Sequence, residues 1–444
     1  MRVYTRLAEA VAAILLLLAP AMWNGFPFLQ YDTGGYLARW FEGYLVPSRS
    51  TVYGLFAVAG WPLHFWPEVF VQAAVAVWVI WLMLRVYGFA DRPLALLGTV
   101  AALAAVTSLP WLAGILLTDI FAGTAVLALH LLLYASGSLS RRETAGLVLL
   151  VSFAAATHSA TLAVLMAIVA AAGLARLYWH DLLSVAALGR GAGALVLGAV
   201  MLLGTNFALS GQVAWTPGGY GIVFARMLQD GIVARYLDEH CPQTQFKLCP
   251  YRHRLPRTAD EFLWNDGPFS ELGRFTGLGE EMRGIVLGSL IEYPGQQIET
   301  ATVAAAKQLV KVENGEGVLT TIWHTYGIIQ HYMPSIVPAM RAARQQHGEV
   351  SFRALNEVQV PVALISIMLL PFIVLMGRGD YADLRCLAAT VSVAVLANAV
   401  VCGVLSNPHD RYGARIAWIA TFSVGLVLMR YAALQPSKAT AVEA

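Results

Sequence analysis

Apolar runs of membrane-spanning length recur along most of this 444-residue chain, and no other feature narrows its possible folds as much. A helix needs about 20 mainly apolar residues to cross a bilayer. On that basis the sequence predicts helices near residues 8–24, 67–87, 93–108, 119–136, 144–157, 159–176, 187–209, 357–377, 385–405 and 413–431. Charged residues make up 13% of the chain and hydrophobic ones 58%, against roughly a quarter charged in soluble domains. The expected fold class is an all-α polytopic membrane protein with about ten transmembrane helices. The short runs on either side of His158 also read as one bent element. A net charge of only +2 gives no support to a nucleic-acid partner.

At the start of the chain, Arg2, Arg6, the apolar run from about Val11 and Ala19-Pro20-Ala21 imitate a secretory signal with its small-residue cleavage site. That run is long for a signal and many spans follow, so it reads as the first transmembrane helix. Lys and Arg near helix ends set orientation. With ten spans and the N-terminus inside, the cytoplasmic positions hold Arg2, Arg6, Arg85, Arg92, Arg141, Arg142, Arg176, Arg190, Arg378, Arg385, Arg430 and Lys438. The short outward loops hold only Arg39, Arg49, Arg411 and Arg415. The bias places both termini in the cytoplasm of a bacterial-type inner membrane. Asp32, Asp119, His158, Arg411 and the long polar loop then share the periplasmic face.

The expected organisation is an N-terminal membrane module (1–209) with a first outer loop at 25–50, an extracytoplasmic insertion (210–356), C-terminal helices (357–431) and a disordered tail (432–444). Residues 210–356 hold 27 of the chain's 56 charged residues, 13 basic and 14 acidic, so the insertion is solvated and nearly neutral. Apolar spacings of three and four in Gly221–Asp230 and Glu280–Tyr293 predict a mostly helical insertion. Pro217-Gly218-Gly219 and Tyr293-Pro294-Gly295 punctuate it. Cys241 and Cys249, around Pro242 and Pro250, read as a disulfide in an oxidising periplasm. His240 and His253 flank the pair without the usual zinc-ligand spacing.

Five places carry polar groups that bear on chemistry. The first loop alternates aromatic and polar residues (Trp23, Phe26, Phe28, Tyr31, Tyr36, Trp40, Phe41, Tyr44) around Asp32, which suits short interfacial helices. Asp32 before Thr-Gly is good helix-capping chemistry, yet an ionisable group at the lip of an apolar bundle is also a functional signal. Arg49, a lone cation where the chain re-enters an apolar run, fits either a phosphate ligand or an interfacial anchor. Asp119 reads as a cap or a site acid, and His158 as a structural or a site histidine. Ser406-Asn-Pro-His-Asp-Arg411-Tyr412 is the densest polar cluster outside the insertion; Asp410 and Arg411 there either neutralise each other or leave Arg411 for a phosphate.

Taken in order, Asp32-Thr-Gly-Gly-Tyr36, Arg49-Ser-Thr-Val-Tyr53-Gly-Leu-Phe56, Leu117-Thr-Asp119-Ile-Phe-Ala and Arg411-Tyr412 resemble the C-type glycosyltransferase superfamily, which includes protein O-mannosyltransferases and lipid A aminoarabinose transferases. The resemblance covers roughly residues 1–180 and part of 385–431. Asp32 stands alone where many relatives carry two adjacent acids, and no proline follows Tyr412. The resemblance implies a polyprenyl-phosphate-linked sugar donor among membrane lipids and an extracytoplasmic lipid, glycan or protein acceptor. It casts Asp32 as catalytic base, Arg49 and Arg411 as donor-phosphate ligands, and Asp119, His158, Tyr36 and Tyr412 in support. No cofactor is implied, since one acid gives a divalent cation few ligands. The competing readings are a transporter or flippase of a lipid-linked or small polar substrate, and a membrane assembly scaffold. Transporters place ionisable groups at the midplane and often show repeats; here those groups collect at one face.

Overall fold

A computed structural model of the chain describes residues 2–241 and 243–435. Among the described residues every regular element is helical, save one isolated parallel bridge between Phe28 and Ile115. Helix α1 (Arg2–Asn24) leads into short α2 (Thr33–Glu42) and α3 (Thr51–Ala59), then α4 (Trp66–Val86), α5 (Ala95–Val106), α6 (Leu109–Gly114), α7 (Ile120–Tyr134), α8 (Arg141–Thr157), α9 (Ser159–Tyr178) and α10 (Val185–Ser210). Side-chain caps fix several starts. Ser50 accepts from the Val52 and Tyr53 amides to open α3, and Ser140 with Glu143 forms a capping box on α8, each satisfying amides that the first turn leaves free.

Among the described residues seven helices are long and apolar enough to cross a membrane: α1, α4, α9, α10 and the three late helices α19 (Arg353–Met376), α20 (Ala382–Leu405) and α21 (Asp410–Leu434). The chain is thus a multi-pass membrane protein. The runs expected at 93–108, 119–136 and 144–157 form shorter helices of 12, 15 and 17 residues. Helix α7 shows why length alone misleads: every residue from Ile120 to Leu133 is buried, so its surroundings are protein rather than lipid. A Cβ on Gly123 would come 2.5 Å from the Trp418 indole, so the missing side chain is what lets α21 pack there.

Polar contacts mark the two ends of the bundle. At one end Arg6 pairs with Asp91 (3.0 Å), Arg85 with Glu143 (2.9 Å) and Arg430 with Asp383 (2.9 Å). At the other, Ser108 donates to the Ala414 carbonyl (2.7 Å) at the start of α21, and the first loop lies beside it.

The insertion divides in two. Its first part, α11 (Gly219–Gln229), α12 (Ile232–His240), α13 (Ala259–Trp264), α14 (Pro268–Glu271) and α15 (Arg274–Glu292), closes on its own core, with Phe224, Leu237, Phe262 and Met282 inside. The Cys241–Cys249 disulfide stands at its edge, with the Cα atoms 5.5 Å apart. In the second part, α16 (Pro294–Val310), α17 (Trp323–Tyr332) and α18 (Val337–Ala342) pack on the bundle instead, where Ile329, Met333 and Met340 join the membrane module's core. Of the expected tail at 432–444, residues up to Leu434 are still α21, while residues 436–444 lie outside the described residues, as does Pro242.

Candidate functional site

The site is assembled where the first loop meets the entrance to α7. Phe28 bridges to this segment through its amide to the Gly114 carbonyl (3.0 Å) and its carbonyl from the Leu116 amide (3.0 Å). Thr33 Oγ1 adds a bond to the Leu116 carbonyl (3.0 Å). These ties bring Asp32 and Asp119 to one end of the bundle. Both acids occupy helix N-cap positions, and neither side chain caps its helix.

The carboxylate of Asp32 is instead shared by two guanidiniums. Arg49 Nη2 donates to its Oδ1, and Arg411 Nη1 to its Oδ2 at 2.6 Å. The arginines come from positions 17 and 379 residues further along. Asp32 is 6% exposed. Burial alone would raise its pKa, but Arg49 and Arg411 outweigh burial and hold the carboxyl below the usual carboxylate range. Asp119 sits on the far side of Arg411, its Oδ2 3.9 Å from Arg411 Nε, and 3.8 Å from Arg415 Nη1 through Oδ1.

Arg415, one helical turn beyond Arg411 and fully buried, is the main functional candidate that sequence reading missed. It donates to Asn398 Oδ1 (2.8 Å) and lies 3.4 Å from His158 Nδ1, which is how His158 joins the cluster. Asn398 in turn donates to the Tyr412 carbonyl (2.7 Å). The Tyr412 ring stands under both Arg411 (5.1 Å) and Arg415 (5.4 Å), and the Tyr36 ring under Arg49 (5.8 Å). All seven residues expected at the site are therefore gathered here. The Arg-x-x-x-Arg spacing at 411 and 415 was a readable signal, since residues four apart share a helix face.

The insertion closes over this cluster. Glu316 accepts from the Arg411 backbone amide (2.9 Å) and contacts His409 Nδ1 (2.5 Å), whose other nitrogen is 3.6 Å from Asp260. Lys311 pairs with Asp410 at 2.9 Å. Thr325 Oγ1 donates to the Gln30 and Tyr31 carbonyls and accepts from the Gly34 amide (3.0 Å). Gly34 is needed for this approach, because a Cβ there would stand 2.7 Å from Thr325 Cα. None of these partners was readable in the sequence: Thr325 lies 291 residues from Gly34.

A small cavity of about 40 Å³ opens beside the cluster, with Phe28, Trp111 and Phe352 as its apolar wall and Asp119, Glu316 and Arg411 as its polar side. Asp119 Oδ1 and Arg411 Nε are buried there without a hydrogen-bond partner. Space on this scale holds a few waters; a larger occupant requires the covering segments to move. Among the described residues no group of three or more His, Cys, Asp or Glu side chains is placed to hold a metal ion. No protein-family model matches the chain, and no curated protein or solved structure is similar to it.

Proposed function

We propose that the protein is an integral membrane glycosyltransferase that moves a sugar from a polyprenyl-phosphate donor to an extracytoplasmic acceptor. One observation carries this reading: a buried acid, Asp32, is held between two guanidiniums at one end of an apolar helix bundle. Guanidiniums bind phosphate oxygens with the same paired geometry that they offer a carboxylate. A donor phosphate that takes over Arg49 and Arg411 frees Asp32 and removes the cations that depress its basicity. Asp32 then accepts the acceptor hydroxyl's proton as that oxygen bonds to the anomeric carbon. The carbon–oxygen bond to phosphate breaks, its electron pair leaves with the phosphate, and the anomeric centre inverts. Arg49 and Arg411 stabilise the departing charge. The aromatic wall of Phe28, Trp111 and Phe352 suits a prenyl chain or a sugar face.

The proposed topology is ten crossings with both termini in the cytoplasm. Helices α1, α4, α5, α7, α8, α9, α10, α19, α20 and α21 alternate between the end holding Asp32 and the end holding the Arg85–Glu143 and Arg430–Asp383 pairs, which supports the even count. Arginines at the second end agree with a cytoplasmic placement. The decisive assay measures transfer of labelled sugar from lipid carrier in membranes carrying Asp32→Asn or Arg411→Ala. Each is expected to lose at least 100-fold in rate, in line with removal of a base or an oxyanion donor. Full activity of Asp32→Asn would remove the base from the mechanism.

A further inference from the structure

Three polar atoms of residues lining the cavity beside the cluster have no hydrogen-bond partner: Gln30 Nε2, Asp119 Oδ1 and Arg411 Nε. Their residues are 1%, 2% and 8% exposed. Gln30 accepts from the Asp32 amide through Oε1 (2.7 Å), which fixes its carboxamide and leaves the Nε2 donor free. Arg415 Nη1 stands 3.8 Å from Asp119 Oδ1, and Arg411 Nε 3.9 Å from Asp119 Oδ2, both beyond hydrogen-bond reach. Leaving one buried polar atom unpaired is costly. Three around a single space mark a place for a ligand.

Two donors and one acceptor set the class of that ligand. A phosphate or carboxylate offers acceptors only and would leave Asp119 Oδ1 facing another acceptor. An ammonium group offers donors only and would leave Gln30 Nε2 and Arg411 Nε unpaired. A prenyl chain offers neither and would leave all three bare. Hydroxyl groups both donate and accept, so a ring bearing several of them satisfies the set. The apolar wall suits the carbon face of such a ring: Trp111 meets Phe352 edge-on (4.8 Å between centroids) and tilts against Phe28 (5.5 Å). Arg411 joins this space to the phosphate site, since its Nη1 holds Asp32 while its side chain also lines the cavity.

The space of about 40 Å³ admits water but no sugar ring, so a covering segment must open it. Residues 313–318, between α16 and α17, form that cover, and Glu313, Asn314, Gly315, Glu316 and Val318 line the cavity. Gly317 lies against the free Gln30 donor: a Cβ on it would collide with Nε2. Its carbonyl accepts from the Tyr31 amide (3.3 Å). We infer that the cavity under residues 313–318 is the subsite for the donor's sugar, a neutral hydroxyl-bearing ring. Gln30 and Asp119 bond its hydroxyls, and Trp111 meets its carbon face. This rests on the transferase reading above, specifies which part of the donor meets the aromatic wall, and gives Gln30 a role in specificity.

The test uses the purified full chain in nanodiscs, with binding read by thermophoresis. The probes are the glucosyl, galactosyl and mannosyl esters of farnesyl phosphate, and farnesyl methyl phosphate, a diester of the same charge without a sugar. In the wild type at least one glycosyl ester is expected to bind at least tenfold more tightly than the methyl ester. Gln30→Glu, which keeps the acceptor for the Asp32 amide and removes the free donor, is expected to abolish that gain. Trp111→Leu should do the same, and both should leave methyl-ester affinity within about twofold. If all four probes bind the wild type alike, the cavity holds water only and the inference is overturned, while binding that depends on Arg411 leaves the transferase reading standing. A full gain retained in Gln30→Glu overturns it likewise. Equal loss of every probe in Trp111→Leu gives the wall to the prenyl chain and also overturns it. If no probe binds in a way that depends on Arg411, the transferase reading fails and the inference with it. If Gln30→Glu does not fold, the wild-type ratio and Trp111→Leu decide.

Discussion

At Asp32 the ordinary task of an acid before a helix, accepting from the free amides of the first turn, is left undone because Arg49 and Arg411 hold both carboxylate oxygens. Asp119 behaves alike, its oxygens turned toward Arg411 and Arg415 rather than toward α7's own amides. Sequence alone left cap and site role open at both positions, since the same residue type serves either; only the long-range partners separate them. His409 carries the clearest pH signature. It faces Glu316 and Asp260, with the Tyr412 ring beside it. Burial opposes its charge, but hydrogen bonds to the two acids prevail and raise its pKa to about 9. A folded value above the ordinary ~6.5 means that this contribution is complete below about pH 6.5 and is lost as pH rises through about 9. The full difference amounts to roughly 3 kcal/mol at most. Thermal unfolding of the detergent-solubilised chain from pH 6 to 10 should show the wild type losing stability across this window relative to His409→Gln. Parallel curves would mean that His409 does not latch the insertion.

Among the elements, the insertion's two parts make different predictions. The first part has its own core, and the Cys241–Cys249 bond closes a short loop at its edge. Loop-closure entropy for such a loop is worth about 2.5 kcal/mol. Cys241→Ser paired with Cys249→Ser should therefore speed proteolysis within residues 219–293 while leaving the proposed sugar transfer within about twofold; a matching loss of that activity would tie this core to the site. The second part is the site's cover. Gly34→Ala sets a methyl 2.7 Å from Thr325 Cα, and overpacking against backbone costs about 1–3 kcal/mol. The expected result is faster hydrogen exchange in α17, with α4 and α20 unchanged. Exchange as slow as in the wild type would show that the cover does not depend on this contact. The helical character of the insertion was legible from its apolar spacing. Its division was not, because the apolar stripe on α17 does not say whether it will meet other loop helices or α2.

For the whole molecule, the distinction between seven spans of sufficient length and ten proposed crossings is one of surroundings. Helices α5, α7 and α8 are shorter than a bilayer-spanning helix requires, and α7 is wrapped by protein, so lipid thickness does not set its length. Cysteine labelling checks the topology. Single cysteines at Ser138, His180 and Gly379 should react from one side of the membrane, and those at Tyr44 and Asp266 from the other. Reaction of Ser138 and His180 positions from opposite sides would remove one of α8 and α9 as a crossing and with it the even count.

The sequence by itself determined that this chain is helical and inserts in a membrane, because the hydrophobic pattern needed for that is local and repeats within each run. It also pointed to Asp32, Arg49, Asp119, His158 and Arg411, since polar groups at the ends of apolar runs stand out without any knowledge of partners. Only the tertiary structure decided what those groups do to one another. That Asp32 is bridged by arginines 17 and 379 residues away, that Glu316 and Thr325 close over it, and that Gln30, Asp119 and Arg411 line one cavity are facts of packing. Charges interact over a few ångströms whatever their separation along the chain, so their balance becomes readable only when the helices have been brought together.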